Sequence, residues 1–243
     1  MLGDSWGVPN YEGPVHGAEP HEHTEFRLRE LGYKVYNCAM NSYSNIGSLN
    51  LAKTYLSGGV VQLSPHNLMN TFHKIKPPER IDIVNPKIDL IVWFHTESLR
   101  FHFKTDETMQ ENLVNGYAFD YKHYAEFFEK YPDSKIAIIG GQAAIYGPLF
   151  HKFIKRYDLL IEDWRSEIIG RKLTEVHWVC KPEEWVHGCA DSKDKKLIML
   201  DQVLDTLTAM RDSPDFIDNC HPAGGPHAEL TKRLHKLFQN DAL

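Results

Sequence analysis

The sequence predicts an α/β protein in which a mainly parallel sheet lies between two layers of helices, a three-layer α/β/α sandwich formed by one domain spanning residues 1–243. Three observations carry this expectation. Ile88-Asp89-Leu90-Ile91-Val92-Trp93-Phe94 and Lys135-Ile136-Ala137-Ile138-Ile139-Gly140-Gly141 are near-continuous apolar runs, the pattern of strands buried on both faces. Strand-like and helix-like stretches alternate along the chain, as in βαβ units. The chain also opens on Met1-Leu2 running straight into Gly3-Asp4-Ser5 and then into Gly and Pro. That reads as a short strand ending in a tight turn, which lifts a hydroxyl to the carboxyl edge where open α/β sheets place their chemistry.

The elements follow in order. Residues 7–22 are rich in Gly, Pro and His and lack periodicity, so they read as a long loop. His16, His21 and His23 have neither helical i,i+4 placement nor a neighbouring Cys, and a polar loop outweighs a metal site. A short helix is expected over Thr24–Leu31 with Gly32 as its stop, then a strand over 33–39. Asn41-Ser42-Tyr43-Ser44-Asn45 forms a polar turn with two candidate caps for a helix carrying Ile46, Leu49, Leu51 and Leu56 and ending at Gly58-Gly59. Val60–Leu63 reads as a short strand and Pro65–Lys74 as a helix, before Pro77-Pro78 breaks the chain.

After the strand at 88–94, His95–Arg100 is polar and loop-like. Thr105 is the expected cap of a long helix reaching Lys130, whose Tyr117, Phe119, Tyr121, Tyr124, Phe127 and Phe128 read as core. Residues 142–190 give no clear pattern and are taken as short elements with an insertion. Leu197, Leu200, Val203, Leu204, Leu207 and Met210 return to helical spacing. A final helix over Pro226–Phe238 aligns Leu230, Leu234, Leu237 and Phe238 on one face.

Composition narrows the function. With 42% hydrophobic and 25% charged residues the chain is an ordinary globular sequence, long enough to bury a substantial core. A net charge of -6 argues against nucleic acid or an anionic membrane as partner. No apolar run approaches the roughly 18 residues of a membrane span, and no secretory signal opens the chain. The expected location is the cytoplasm, or a virion if the source is a phage. Cys38, Cys180, Cys189 and Cys220 form no CxxC pair, so neither a disulfide framework nor a structural zinc site is expected. Nothing calls for a metal or an organic cofactor.

A serine becomes a useful nucleophile when a base takes its proton and a third group orients that base. Asp218-Asn219-Cys220-His221, just before the last helix, holds both parts in one turn. The plain alternative, a loop histidine ahead of a helix N-terminus with Asp218 as a turn residue, weighs about equally on these residues alone.

Gly3-Asp4-Ser5 near the start and Asp218–His221 near the end, followed by HPAGGPHAELTKRL, resemble the blocks of the SGNH (GDSL-type) hydrolases. The resemblance implies a flavodoxin-like, five-stranded α/β/α fold and a serine esterase, lipase or carbohydrate deacetylase. It assigns Ser5 as nucleophile, His221 as base and Asp218 as the acid that orients it, with a small ester or an O-acetylated carbohydrate as substrate. The middle blocks depart from the pattern. Asn37-Cys38-Ala39-Met40-Asn41-Ser42 places Ser42 where the family has an oxyanion-binding glycine, and Phe94-His95-Thr96-Glu97 places Thr96 where it has an asparagine. By resemblance the oxyanion donors are the Ser5 and Ser42 main-chain N–H groups and Thr96. HTESLRFHF is similar to a variant of bacteriophage-encoded members, in which Arg100 would meet an anionic group of the substrate, although a surface or salt-bridged Arg is the plainer reading.

Two other readings compete. The altered middle blocks and the short first strand suit a non-catalytic binding or structural module of the same fold, such as one in a phage particle. A flavin- or nucleotide-binding protein is weaker, because Trp6-Gly7-Val8-Pro9-Asn10 does not make a phosphate loop.

Overall fold

A computed structural model describes residues 1–3, 20–39, 44–57, 87–96, 98, 104, 106–141, 143–173, 178–179, 196–197, 200–217 and 221–239. The protein is mixed α/β. Strands β1 (Leu90–His95), β2 (Lys135–Gly140) and β3 (Leu159–Ile161) form a parallel sheet in the order β1-β2-β3. Leu90 lies opposite Lys135, and Ala137 opposite Leu159. Five of the six residues of β1 and of β2 are buried, which is why both read as unbroken apolar runs. A second, antiparallel pair joins β4 (Trp178–Val179) to β5 (Lys196–Leu197).

Main-chain hydrogen bonds continue the parallel sheet beyond the other side of β1. The Leu2 N–H donates to Val92 C=O at 2.8 Å, and its C=O accepts from Phe94 N–H at 2.9 Å, making a parallel bridge between Leu2 and Trp93. Further out, Met1 donates its terminal nitrogen to Tyr36 C=O at 2.6 Å and accepts from Cys38 N–H at 2.8 Å. Residues 1–2 therefore lie between β1 and the extended stretch 33–39.

The described helices are α1 (Thr24–Glu30), α2 (Asn45–Leu56), α3 (Met109–Glu129), α4 (Gly147–Phe153), α5 (Trp164–Ile169), α6 (Leu200–Arg211) and α7 (Gly224–Gln239). They cover both faces of the sheet. On one face, Leu49 of α2 and Tyr117, Tyr121, Tyr124 and Phe128 of α3 pack with Trp93, Ile136 and Ile138. On the other, Leu28 of α1, Trp164 of α5, Met210 of α6 and Leu230 and Leu234 of α7 pack with Val92, Phe94 and Ile139. Alternate residues of each strand thus feed opposite cores. The Trp93 indole stacks on Tyr124 with ring centroids 3.6 Å apart. Among the described residues no helix is long and apolar enough to cross a membrane.

Several local expectations are corrected. The long helix is capped by Thr108, not Thr105: the Thr108 hydroxyl accepts from Glu111 N–H at 3.2 Å and the Glu111 carboxylate accepts from Thr108 N–H at 2.8 Å. Phe119 is 38% exposed and leaves the core, because it falls off the stripe that Tyr117, Tyr121, Tyr124 and Phe128 share. The unpatterned stretch from 142 to 190 holds α4, β3, α5 and β4, each too short for a periodic signal. The last helix starts at Gly224, two residues before Pro226. The strand expected at 60–63 and the helix expected at 65–74 lie outside the described residues.

One glycine is fixed by contact as well as by conformation. Gly3 adopts φ +135°, and a Cβ there would stand 2.5 Å from Phe94 O and 2.7 Å from Phe94 Cβ. Only glycine lets the chain run this close to the end of β1. Gly3→Ala should lower stability by about 1–3 kcal/mol, the range for strained backbone, read as a lower urea midpoint. An unchanged midpoint would contradict the Gly3–Phe94 contact.

Candidate active site at the carboxyl edge of the sheet

Because β1, β2 and β3 are parallel, their carboxyl ends share one edge, and Gly3 reaches the same edge beside Phe94. The Gly3 N–H donates to Ser48 Oγ at 2.7 Å, and the Ser48 hydroxyl donates to Cys38 C=O at 3.0 Å. α2 thereby grips the main chain on both sides of the first bridge. Burial pushes the Cys38 thiol up to about 11, so this cysteine stays protonated.

Beyond β1, the exit of the chain is held by a buried polar network. The Asn45 side chain pairs with the Thr96 main chain in both directions: Nδ2 donates to Thr96 C=O at 2.8 Å and Oδ1 accepts from Thr96 N–H at 3.0 Å. Oδ1 also accepts from Trp93 Nε1 at 3.1 Å, and the Tyr124 hydroxyl donates to Asn45 C=O at 3.0 Å. Asn45 Nδ2 and the Ser98 hydroxyl both donate to Asp120 Oδ2, at 2.8 and 2.6 Å. Asp120 of α3 is thus linked to the start of α2 and to the segment after β1. Burial raises the Asp120 carboxyl to about 7, against the two hydrogen bonds that lower it.

A second buried cluster surrounds the foot of α7. The loop before it is closed by Ile217 N–H donating to His221 C=O at 3.0 Å, by a Phe216–Pro222 bridge, and by Ala223 N–H donating to Asp215 C=O at 2.8 Å. His221 is 8% exposed. His227, on the first turns of α7, lies 4.3 Å from the His23 ring centroid, and its Nδ1 is 3.0 Å from Thr24 Oγ1. Burial holds His227 well below its ordinary pKa, reinforced by the charges of His23, Arg27 and His221. Trp164 packs edge-on against His227 at 5.4 Å and against Phe94 at 5.9 Å. A continuous chain of contacts therefore leads from Gly3 through Phe94 and Trp164 to His227 and His221.

Of the residues singled out in the sequence, Thr96 and His221 are described, while Ser5, Ser42, Arg100 and Asp218 lie outside the described residues. Thr96 is fully buried and Asn45 engages both of its main-chain groups, so any hydrogen bond it gave an oxyanion would come from its hydroxyl. His23, expected in a polar loop, is instead buried and caps α1 by accepting from Glu25 N–H at 3.1 Å. His16 lies outside the described residues. Among the described residues no group of three or more His, Cys, Asp or Glu side chains could hold a metal ion.

Asn45, Asp120, Ser98 and His227 were missed in the sequence. A signal existed for Asp120, a single acid placed three residues after Tyr117 and four before Tyr124, on the stripe that packs the core. His227 likewise sits three residues before Leu230 on the buried face of α7. Comparison with protein-family models, curated proteins and solved structures returned no match.

The Asp120 shift has a definite pH signature. Its folded pKa is raised, so its stabilising contribution is complete below the unfolded value near 3.8 and is lost as pH rises through about 7. The stability of the wild type relative to Asp120→Asn should fall between pH 4 and 7 and level off above it, as followed by urea midpoints. A difference that does not vary with pH would show that Asp120 ionises like an exposed carboxylate.

Proposed function

We propose that the chain is a serine hydrolase of the SGNH type, acting on ester bonds of small esters or O-acetylated carbohydrates. Ser5 attacks the carbonyl carbon, His221 takes the Ser5 proton and returns it to the leaving group, and Asp218 orients the His221 ring. The main-chain N–H groups of Ser5 and Ser42, with the Thr96 hydroxyl, receive the developing oxyanion, and Arg100 faces an anionic part of the substrate. The observation that carries this reading is the run of contacts from Gly3 to His221 along one sheet edge, since Gly3 lies two residues before Ser5 and His221 ends the Asp218 block. The finer fold belongs with it. The hydrogen bonds of residues 1–2 to Tyr36, Cys38, Val92 and Phe94 favour a five-stranded, flavodoxin-like sheet with residues 33–39 at its edge.

The buried network supports the same reading. Asn45 and Asp120 immobilise the main chain at Thr96, and catalytic donors lower barriers most when their position is fixed before the substrate arrives. One observation favours the rival, a non-catalytic module of the same fold: Thr96 is wholly enclosed, and a donor has to reach its oxyanion.

A fluorophosphonate probe separates the two. It should label the folded wild type at Ser5, and both Ser5→Ala and His221→Ala should lose the label while keeping the wild-type circular dichroism. Absence of labelling on the folded wild type would leave the non-catalytic module.

A further inference from the structure

At the opposite, amino edge of the sheet lies a cavity of about 220 Å³ whose lining includes Met1, Lys34, Tyr36, Leu90 and Val92. It lies in line with residues 1–2, between the extended stretch 33–39 and β1. The hydrogen bonds already made fix what its two walls present. In a parallel ladder the N–H and C=O of one residue face the same neighbour, and alternate residues face opposite sides. Tyr36 C=O and Cys38 N–H face Met1, so Tyr36 N–H and Lys34 C=O face the cavity from one wall. Val92 C=O and Phe94 N–H face Leu2, so Val92 N–H and Leu90 C=O face it from the other. The spacing of the walls is that of one strand, because Met1 and Leu2 already occupy the same gap higher up.

The cavity is apolar above and below the sheet plane, with Ala52 and Leu56 on the α2 side and Leu28 and Phe238 on the α1 and α7 side. Its inner end is the Met1 ammonium, which is buried and makes a single printed hydrogen bond, to Tyr36 C=O. Burial pulls this ammonium below its ordinary pKa, partly offset by the Cys38 and Glu25 charges.

We propose that this slot binds the C-terminal end of an extended apolar peptide from a partner chain, laid parallel to β1 with its terminal carboxylate against the Met1 ammonium. The last peptide residue donates to Leu90 C=O and receives Val92 N–H; the one before it donates to Lys34 C=O and receives Tyr36 N–H. Two residues thus complete four main-chain hydrogen bonds, and both of their side chains enter apolar surroundings, one on each face. Strand addition and carboxylate capture are established modes of peptide recognition, and here both act along one line. The carboxylate meets the ammonium as at a cleaved peptide bond, a charge-assisted contact away from water. This inference is independent of the hydrolase reading.

The test uses 15N-labelled protein with acetyl-Lys-Ile-Val-Ile, compared as the free acid and as the C-terminal amide. The acid should shift the Tyr36 and Val92 amide resonances and bind about tenfold or more tightly than the amide. A chain with the same four residues joined ahead of Met1 by an ordinary peptide bond fills the slot itself, so it should melt at higher temperature and no longer bind the free peptide. Failure of the acid to shift these resonances at millimolar concentration would overturn the proposal. So would equal binding of acid and amide, or undiminished binding by the extended chain.

Discussion

The structure depends on a contact made by its first three residues. Met1 and Leu2 lie between β1 and the stretch 33–39, hydrogen-bonded to both, and Gly3 presses on the Phe94 main chain so closely that no side chain fits between. Both cores meet along this line. Leu2 belongs to the cluster beneath α2 and α3, while Met1 packs against the one beneath α1 and α7. The same contact sets the start of the candidate site, because Gly3 leaves the sheet beside the end of β1. It also explains the cavity below Met1, where the two walls run on past the residues that bridge them.

The second organising constraint is Asn45. A single carboxamide pairs with the Thr96 main chain, receives the Trp93 indole N–H and donates to Asp120. Burying a carboxylate is costly without partners, and Asp120 has two donors on one oxygen plus a raised pKa that lets it hold a proton near neutrality. A polar knot inside an aromatic core breaks the rule that interiors are apolar, and such departures concentrate where a chain has to position something. Here it fixes the segment that leaves β1.

The strands and their burial were readable because they are long and apolar: Leu90–His95 and Lys135–Gly140 cannot be satisfied on a half-wet sheet. Helix α1 and its stop at Gly32 were equally plain, with Gly32 at φ +89°. By contrast α4, β3 and α5 have seven, three and six residues, less than the window over which a period shows. Thr105 and Thr108 are both acceptable caps by type, and only the reciprocal bond with Glu111 distinguishes them. In the candidate site, types of residue were legible but partnerships were not. Asn45 looked like a turn residue and His23 like a loop residue, since what each bonds lies far away in sequence or is decided by burial.

The central claim is that residue 5 and His221 face each other at the carboxyl edge. A crystal structure of the wild-type protein, with the Ser5 side chain and the His221 ring both resolved, tests it most directly. The account requires Ser5 Oγ within hydrogen-bond reach of a His221 ring nitrogen, about 3 Å, with the Asp218 carboxylate on the other ring nitrogen. A packed side chain between Ser5 and His221, or a His221 ring turned toward His227 and away from Ser5, would contradict it.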